Sequence, residues 1–315
     1  MKKLLFGLAI LLFCLAAPYV FQTYGLKTVS EEDLPDEGGW AQLTQGNIYY
    51  RWHEPEINNG QVVVMVHGFS TPHFVWNGMK GFLLDAGFRV LVYDHLGRGF
   101  SDKPNLVYDQ SLYIDTLKEL LDDQNISESA HFVGYSMGGP VVGHFAASYP
   151  DLVKSMSLIA PAGFMIESPT ANMWTLRPLI GEWFWNIFAP TMFFNDGPII
   201  STDPLALSTE DFIAGARTQL QYKGFVRSLL STARHFNLFN AEATFAEVGR
   251  LEIPTLTIWG TADGVVPFSG SEGLLELIPH SRLIVIDDGG HNITYAQPTI
   301  VGTAIRDFLN EGVKL

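Results

Sequence analysis

One serine stands between two glycines in Gly134-Tyr135-Ser136-Met137-Gly138, directly after an apolar run and directly before a segment with helical spacing. This is the G-x-S-x-G pattern of a nucleophile held at a sharp strand-to-helix turn. The serine there adopts a strained backbone, side chains two positions away on either side would collide, and glycine removes the collision. A serine hydroxyl is a poor nucleophile at neutral pH, so Ser136 needs a base, and the base needs an orienting acid. On such a sheet the chain order is Ser, then Asp or Glu, then His. Asp263, at the tip of the loop after the apolar run 255–260, and His291, in the Gly289-Gly290-His291 loop after the run 283–286, fill that order. Asp before Gly264 is also a common turn pair, which leaves Asp287 or Asp288 as alternative acids. Both stand so close to His291 in sequence that reaching its ring is harder.

Acyl transfer also needs two backbone N–H groups aimed at the oxyanion. The run 62–66 ends in His67-Gly68-Phe69, which offers the N–H of Phe69, and the residue after the nucleophile offers that of Met137. Tyr135 beside the nucleophile, with Trp183 and Phe184 from an aromatic-rich run, are the candidate substrate contacts. Asp94 and Arg98 read as builders of the turn after their own strand.

The elements that must position these residues follow from periodicity. Runs at 48–52, 62–66, 89–93, 131–134, 155–160, 255–260 and 283–286 read as strands, several apolar on both faces, and helical spacing recurs at 75–86, 111–124, 137–148, 271–278 and 298–310. Doubly buried strands alternating with helices imply an α/β fold with a mostly parallel sheet flanked by helices. Ligands in such sheets bind beyond the strand carboxyl ends, where Ser136, Asp263 and His291 all fall. Residues 162–245 break the alternation with aromatic-crowded helical patterns and read as a helical cap inserted in a core of residues 40–161 and 246–315. Residues 26–39, acidic and rich in Gly and Pro, read as a linker.

Composition excludes other classes. Nineteen Lys and Arg against 33 Asp and Glu give a formal charge of -14, which repels nucleic acid. The only cysteine, Cys14, leaves the folded body without a disulfide or a cysteine metal site. His53, His73, His144 and His235 lack metal-binding spacing, and neither metal nor cofactor is expected. Residues 1–25 pair Lys2 and Lys3 with an uncharged stretch over residues 4–21, roughly the minimum for a span. They read as a membrane anchor or a cleaved signal peptide, with the body on the periplasmic or extracytoplasmic side.

His67-Gly68-Phe69, Asp94 through Ser101, Gly134 through Gly139, Gly260 through Pro267 and Gly290-His291 occur in the order seen in one family. From residue 40 onward the chain resembles the α/β-hydrolase superfamily with a helical cap. The resemblance implies Ser136 as nucleophile, His291 as base and Asp263 as acid. The N-terminal segment, the Ser-Met-Gly-Gly elbow and the aromatic cap are similar to membrane-associated monoacylglycerol lipases and carboxylesterases, which implies a small-molecule ester or lipid substrate. Two alternatives share the fold. One is a carbon–carbon bond hydrolase, to which bulky Phe69 is poorly suited; the other is a noncatalytic binding module, which the complete triad disfavours.

Overall fold

Eight strands form one sheet in the order β1-β2-β4-β3-β5-β6-β7-β8 in the computed structural model, which describes residues 2–165, 173–194 and 198–311. They are β1 (Gly39–Leu43), β2 (Gly46–His53), β3 (Val62–Val66), β4 (Arg89–Tyr93), β5 (Ala130–Tyr135), β6 (Val153–Ile159), β7 (Thr255–Gly260) and β8 (Arg282–Ile286). From β4 to β8 every neighbouring pair is parallel; β1 and β2 add an antiparallel edge. Parallel pairing brings the carboxyl ends of β3, β5, β7 and β8 to a single rim, with Val66 opposite Gly134 and Gly260 opposite Ile286.

The strands are apolar on both faces because both are covered. Val64, Val66, Leu91 and Phe132 enter one core, while Val63, Met65, Val90 and Val133 enter the other. The first core receives α3 (Gln110–Asp123) and α4 (Gly138–Ser148); the second receives α2 (Lys80–Asp85) and α11 (Pro298–Asn310). Helix α3 starts where a cap permits: the Asp109 carboxylate accepts from the Leu112 N–H at 3.0 Å.

Between β6 and β7 lie α5 (Ile180–Phe194), α6 (Thr209–Leu220), α7 (Phe225–His235) and α8 (Glu242–Arg250). Leu176, Trp185, Ala216, Phe225 and Leu229 form a third, separate cluster among α5, α6 and α7. Helix α8 straddles residue 245 but belongs to the sheet's own core, where Phe245 is fully buried. After β7 come α9 (Gly270–Leu277) and, between β8 and α11, the short α10 (Ile293–Ala296).

Two expectations need correction. Strand β1 is an addition to the seven runs read as strands. The helix expected at 75–86 is a 3-10 turn, His73–Trp76, followed by the six-residue α2; Gly78 between the two and Gly81 inside α2 lower helix propensity there. Part of the segment 26–39, read as a linker, contacts the folded body. Val29 is buried, and Lys27 exchanges backbone hydrogen bonds with Gln221 and Lys223 at 3.0 and 2.8 Å.

The N-terminal helix α1 runs Lys2–Thr23 with Pro18 inside it. Leu5, Phe6, Phe13, Val20 and Phe21 are exposed along it. Among the described residues, no helix is long and apolar enough to cross a membrane.

Candidate active site

Ser136 directly follows β5 with φ at 52°, left-handed backbone that a non-glycine residue adopts only under constraint. The constraints are hydrogen bonds and close packing. Its N–H donates to Ile159 O at 2.9 Å, and its carbonyl accepts from Gly139 at 2.9 Å and Ala162 at 3.0 Å. The flanking glycines are steric necessities. A Cβ on Gly134 would lie 2.5 Å from Gly138 O, and one on Gly138 would lie 2.0 Å from Val66 O.

His291 Nε2 stands 3.0 Å from Ser136 Oγ, and His291 Nδ1 stands 2.8 Å from Asp263 Oδ2. A carboxylate only accepts, so Nδ1 carries the proton and the Nε2 lone pair faces the serine hydroxyl. The second carboxylate oxygen of Asp263 is also engaged, accepting from Val265 and Val266 N–H at 2.9 and 2.8 Å. Asp263 is buried, whereas Asp287 and Asp288 are exposed. The imidazole's partner is therefore Asp263, and the alternative acids face solvent.

Met137 occupies the N-cap position of α4, where backbone N–H groups lack partners within the helix and the dipole favours negative charge. Across from it, the loop after β3 presses against the nucleophile. A Cβ on Gly68 would lie 3.3 Å from Ser136 Cβ, so Phe69, the next residue, borders the same space. Its ring lies 6.4 Å from that of Trp185 and 5.6 Å from that of Phe193.

The residues expected as substrate contacts have these neighbours within the protein. Tyr135 is buried, and its hydroxyl donates to the His291 carbonyl at 3.0 Å, which holds the histidine loop from behind. Trp183 donates its ring N–H to Leu15 O of α1 at 2.7 Å. Phe184 packs 5.1 Å from Trp174 and 4.7 Å from Phe188. The α5 residues that reach Phe69 are Trp185 and Phe193, set apart from Trp183 and Phe184 by helical rotation.

Two residues that the sequence placed in motifs or turns make contacts at the site that it did not show. His67 is fully buried, and loss of hydration lowers its pKa to about 4, so the ring is neutral. Its Nε2 accepts from the His95 N–H at 3.0 Å, and its Nδ1–H donates to Gly68 O at 2.9 Å. Arg98 sits in the expected turn, and its side chain reaches out of it to donate to Phe69 O at 2.5 Å. The His-Gly pair was a visible signal for the first; nothing local signalled the reach of the second. Among the described residues, no three His, Cys, Asp or Glu gather as a metal site.

Comparison with known proteins agrees with this geometry. A family model described as alpha/beta hydrolase fold matches residues 61–297. The putative carbamate hydrolase RutD of Pseudomonas savastanoi pv. phaseolicola is 31% identical over 275 residues, covering 84% of this chain and 99% of that protein. Monoacylglycerol lipase ABHD6 of Bos taurus is 25% identical over 279 residues, covering 82% and 76%. A crystal structure of a membrane phospholipase A, called a bacterial virulence factor, superposes with a TM-score of 0.69 at 20% identity and 99% coverage of both chains.

Proposed function

The chain belongs to the α/β-hydrolase fold family, and within it we propose that the protein is a serine hydrolase of carboxylic esters with apolar acyl groups, monoacylglycerols or similar lipids. The observation that carries this reading is the unbroken hydrogen-bonded series from Ser136 through His291 to Asp263. Ser136 Oγ bonds to the ester carbonyl carbon as His291 Nε2 takes the hydroxyl proton and the carbonyl π electrons move to oxygen. Asp263 keeps the imidazole in its tautomer and stabilises the charged ring. The N–H groups of Phe69 and Met137 stabilise the oxyanion, each worth about 3 kcal/mol. Collapse breaks the ester C–O bond and His291 returns its proton to the departing alcohol. Water then repeats the sequence on the acyl-serine and releases the acid.

The apolar surroundings of Phe69, formed by Trp185 and Phe193 from α5, support an apolar acyl group. So do the lipids named for the lipase and phospholipase relatives. In this reading residues 162–245 act as a cap over the rim, and Trp185 replaces Trp183 as the aromatic nearest the acyl chain.

Ser136→Ala is the direct test. The variant should fold as the parent does, lose hydrolysis of nitrophenyl esters, and no longer take a fluorophosphonate label. Retention of full esterase activity would end the assignment.

Membrane association through residues 4–21 belongs to the same reading. It is supported by an uncharged run from Leu4 to Leu26 behind Lys2 and Lys3 and by the exposed Leu5, Phe6, Phe13, Val20 and Phe21 of α1, an apolar surface suited to the bilayer interface. Flotation with lipid vesicles tests it: the full chain should rise with the vesicles, and its absence from them would defeat the idea. Intact mass of the recovered protein would separate an anchor from a cleaved signal.

A further inference from the structure

Arg98 places a permanent charge in the interior among uncharged partners. The residue is fully buried in the turn after β4. Its Nε donates to Phe69 O at 2.5 Å, its Nη1 to Ser228 Oγ at 2.7 Å and its Nη2 to Thr232 Oγ1 at 3.0 Å. The guanidinium also lies 5.4 Å from the centre of the Phe69 ring. Removing such a cation from water is strongly unfavourable, and hydrogen bonds to fixed acceptors must offset the loss.

Closing the local turn does not require it. The Asp94 carboxylate already accepts from the His73 and Phe100 N–H groups, and Ser101 donates to the Asp94 carbonyl. What the guanidinium reaches is the residue bordering Ser136, and beyond it two hydroxyls on α7. The peptide group that carries the Phe69 N–H is itself held, because His67 Nδ1–H donates to its carbonyl, Gly68 O; Arg98 holds the next carbonyl along the chain. Both carbonyls that flank this N–H along the chain are thus fixed by a side chain, one by His67 and one by Arg98.

We propose that Arg98 is a positioning residue for acyl transfer: it fixes the backbone at Phe69 so that the N–H points at the oxyanion, and it makes that aim depend on helix α7 through Ser228 and Thr232. The inference rests on the serine-hydrolase reading above.

The full-length protein is first titrated with a fluorophosphonate. Absence of both labelling and ester hydrolysis in the wild type would remove the serine-hydrolase reading itself, before any Arg98 variant is made. With an active wild type, Arg98→Met, Arg98→Lys and the double variant Ser228→Ala/Thr232→Val are compared per labelled site. The readouts are kcat and KM on a nitrophenyl ester and affinity for a trifluoromethyl ketone, which forms an oxyanion when Ser136 adds to it. A donor that is misdirected rather than deleted should cost less than a deleted one, so Arg98→Met should lower kcat by roughly 10- to 100-fold. KM should stay nearly constant, and ketone affinity should fall in proportion to kcat. Arg98→Lys, which can still reach Phe69 O, should recover part of the loss. The double variant keeps the guanidinium but frees its far end, and should show a smaller, parallel loss of kcat and ketone affinity.

Unchanged kcat and ketone affinity per labelled site in Arg98→Met would overturn the proposal. If that variant does not fold, the same result in the double variant overturns it. Fewer labelled sites of normal kcat, or a loss confined to KM, would also overturn it, assigning Arg98 to folding or to substrate binding.

Discussion

At Ser136 the molecule accepts backbone strain where chemistry needs an exposed hydroxyl. A left-handed non-glycine residue is disfavoured by roughly 1 to 2 kcal/mol, and the φ of 52° is held by hydrogen bonds to Ile159, Gly139 and Ala162. Relief of that strain can be measured apart from catalysis. Ser136→Gly and Ser136→Ala should both be inactive, but the glycine variant should be the more stable by about 1 kcal/mol. Urea midpoints of the two compare them directly; an alanine variant as stable as the glycine variant would show that no strain is stored there. The convergence of Ser136, His291 and Asp263 was legible in the sequence, because each stands past the end of an apolar strand and they occur in the chain order Ser, Asp, His. The preference for Asp263 over Asp287 and Asp288 was legible only through their closeness to His291 in sequence; the physical reason, a carboxylate buried against the imidazole, appears only in the fold.

Among the elements, strands buried on both faces were the easiest to read, as continuous apolar runs bounded by turns. Strand β1 escaped because it lies on the edge, where only Ala41 is buried and no run forms. Helix α5 posed a different difficulty. Its sequence is apolar nearly all round, so periodicity identifies a helix but no inward face. Each residue turns the side chain by about 100°, and an error of one or two positions exchanges a contact with α1 for a contact with Phe69. The two faces predict opposite outcomes. Trp185→Leu should lower kcat/KM for long-chain esters by about 10-fold relative to acetyl esters, the scale of lost aromatic burial. Trp183→Phe, which gives up only the bond to Leu15 O, should leave the chain-length profile unchanged. A series of nitrophenyl esters of rising acyl length checks both, and a changed profile in Trp183→Phe alone would reverse the assignment of the two faces.

Across the whole molecule, the interior holds histidines that cannot afford to be charged. Burial lowers the pKa of His67 and His131 to about 4 and that of His95 well below its ordinary value. Each is instead satisfied as a neutral ring: His131, for example, bonds Ser155 Oγ at 2.7 Å and Gln61 Oε1 at 3.0 Å. In the unfolded chain all three would titrate near 6.5. Between pH 6.5 and 4 the unfolded state therefore binds more protons than the folded one, and stability must fall as pH falls through that window. Above 6.5 both states leave these rings neutral and their contribution is flat. The expected slope is on the order of 1 kcal/mol per pH unit for each buried ring. Urea unfolding from pH 7.5 down to 5 measures it as a falling midpoint. His131 is the informative position, since it is the second residue of β5, near the end of the strand opposite Ser136. His131→Gln removes one titrating group, so its midpoint should depend less steeply on pH than that of the parent. Parallel pH profiles would mean that this ring keeps its ordinary proton affinity in the fold, and that acid lability must arise from another group.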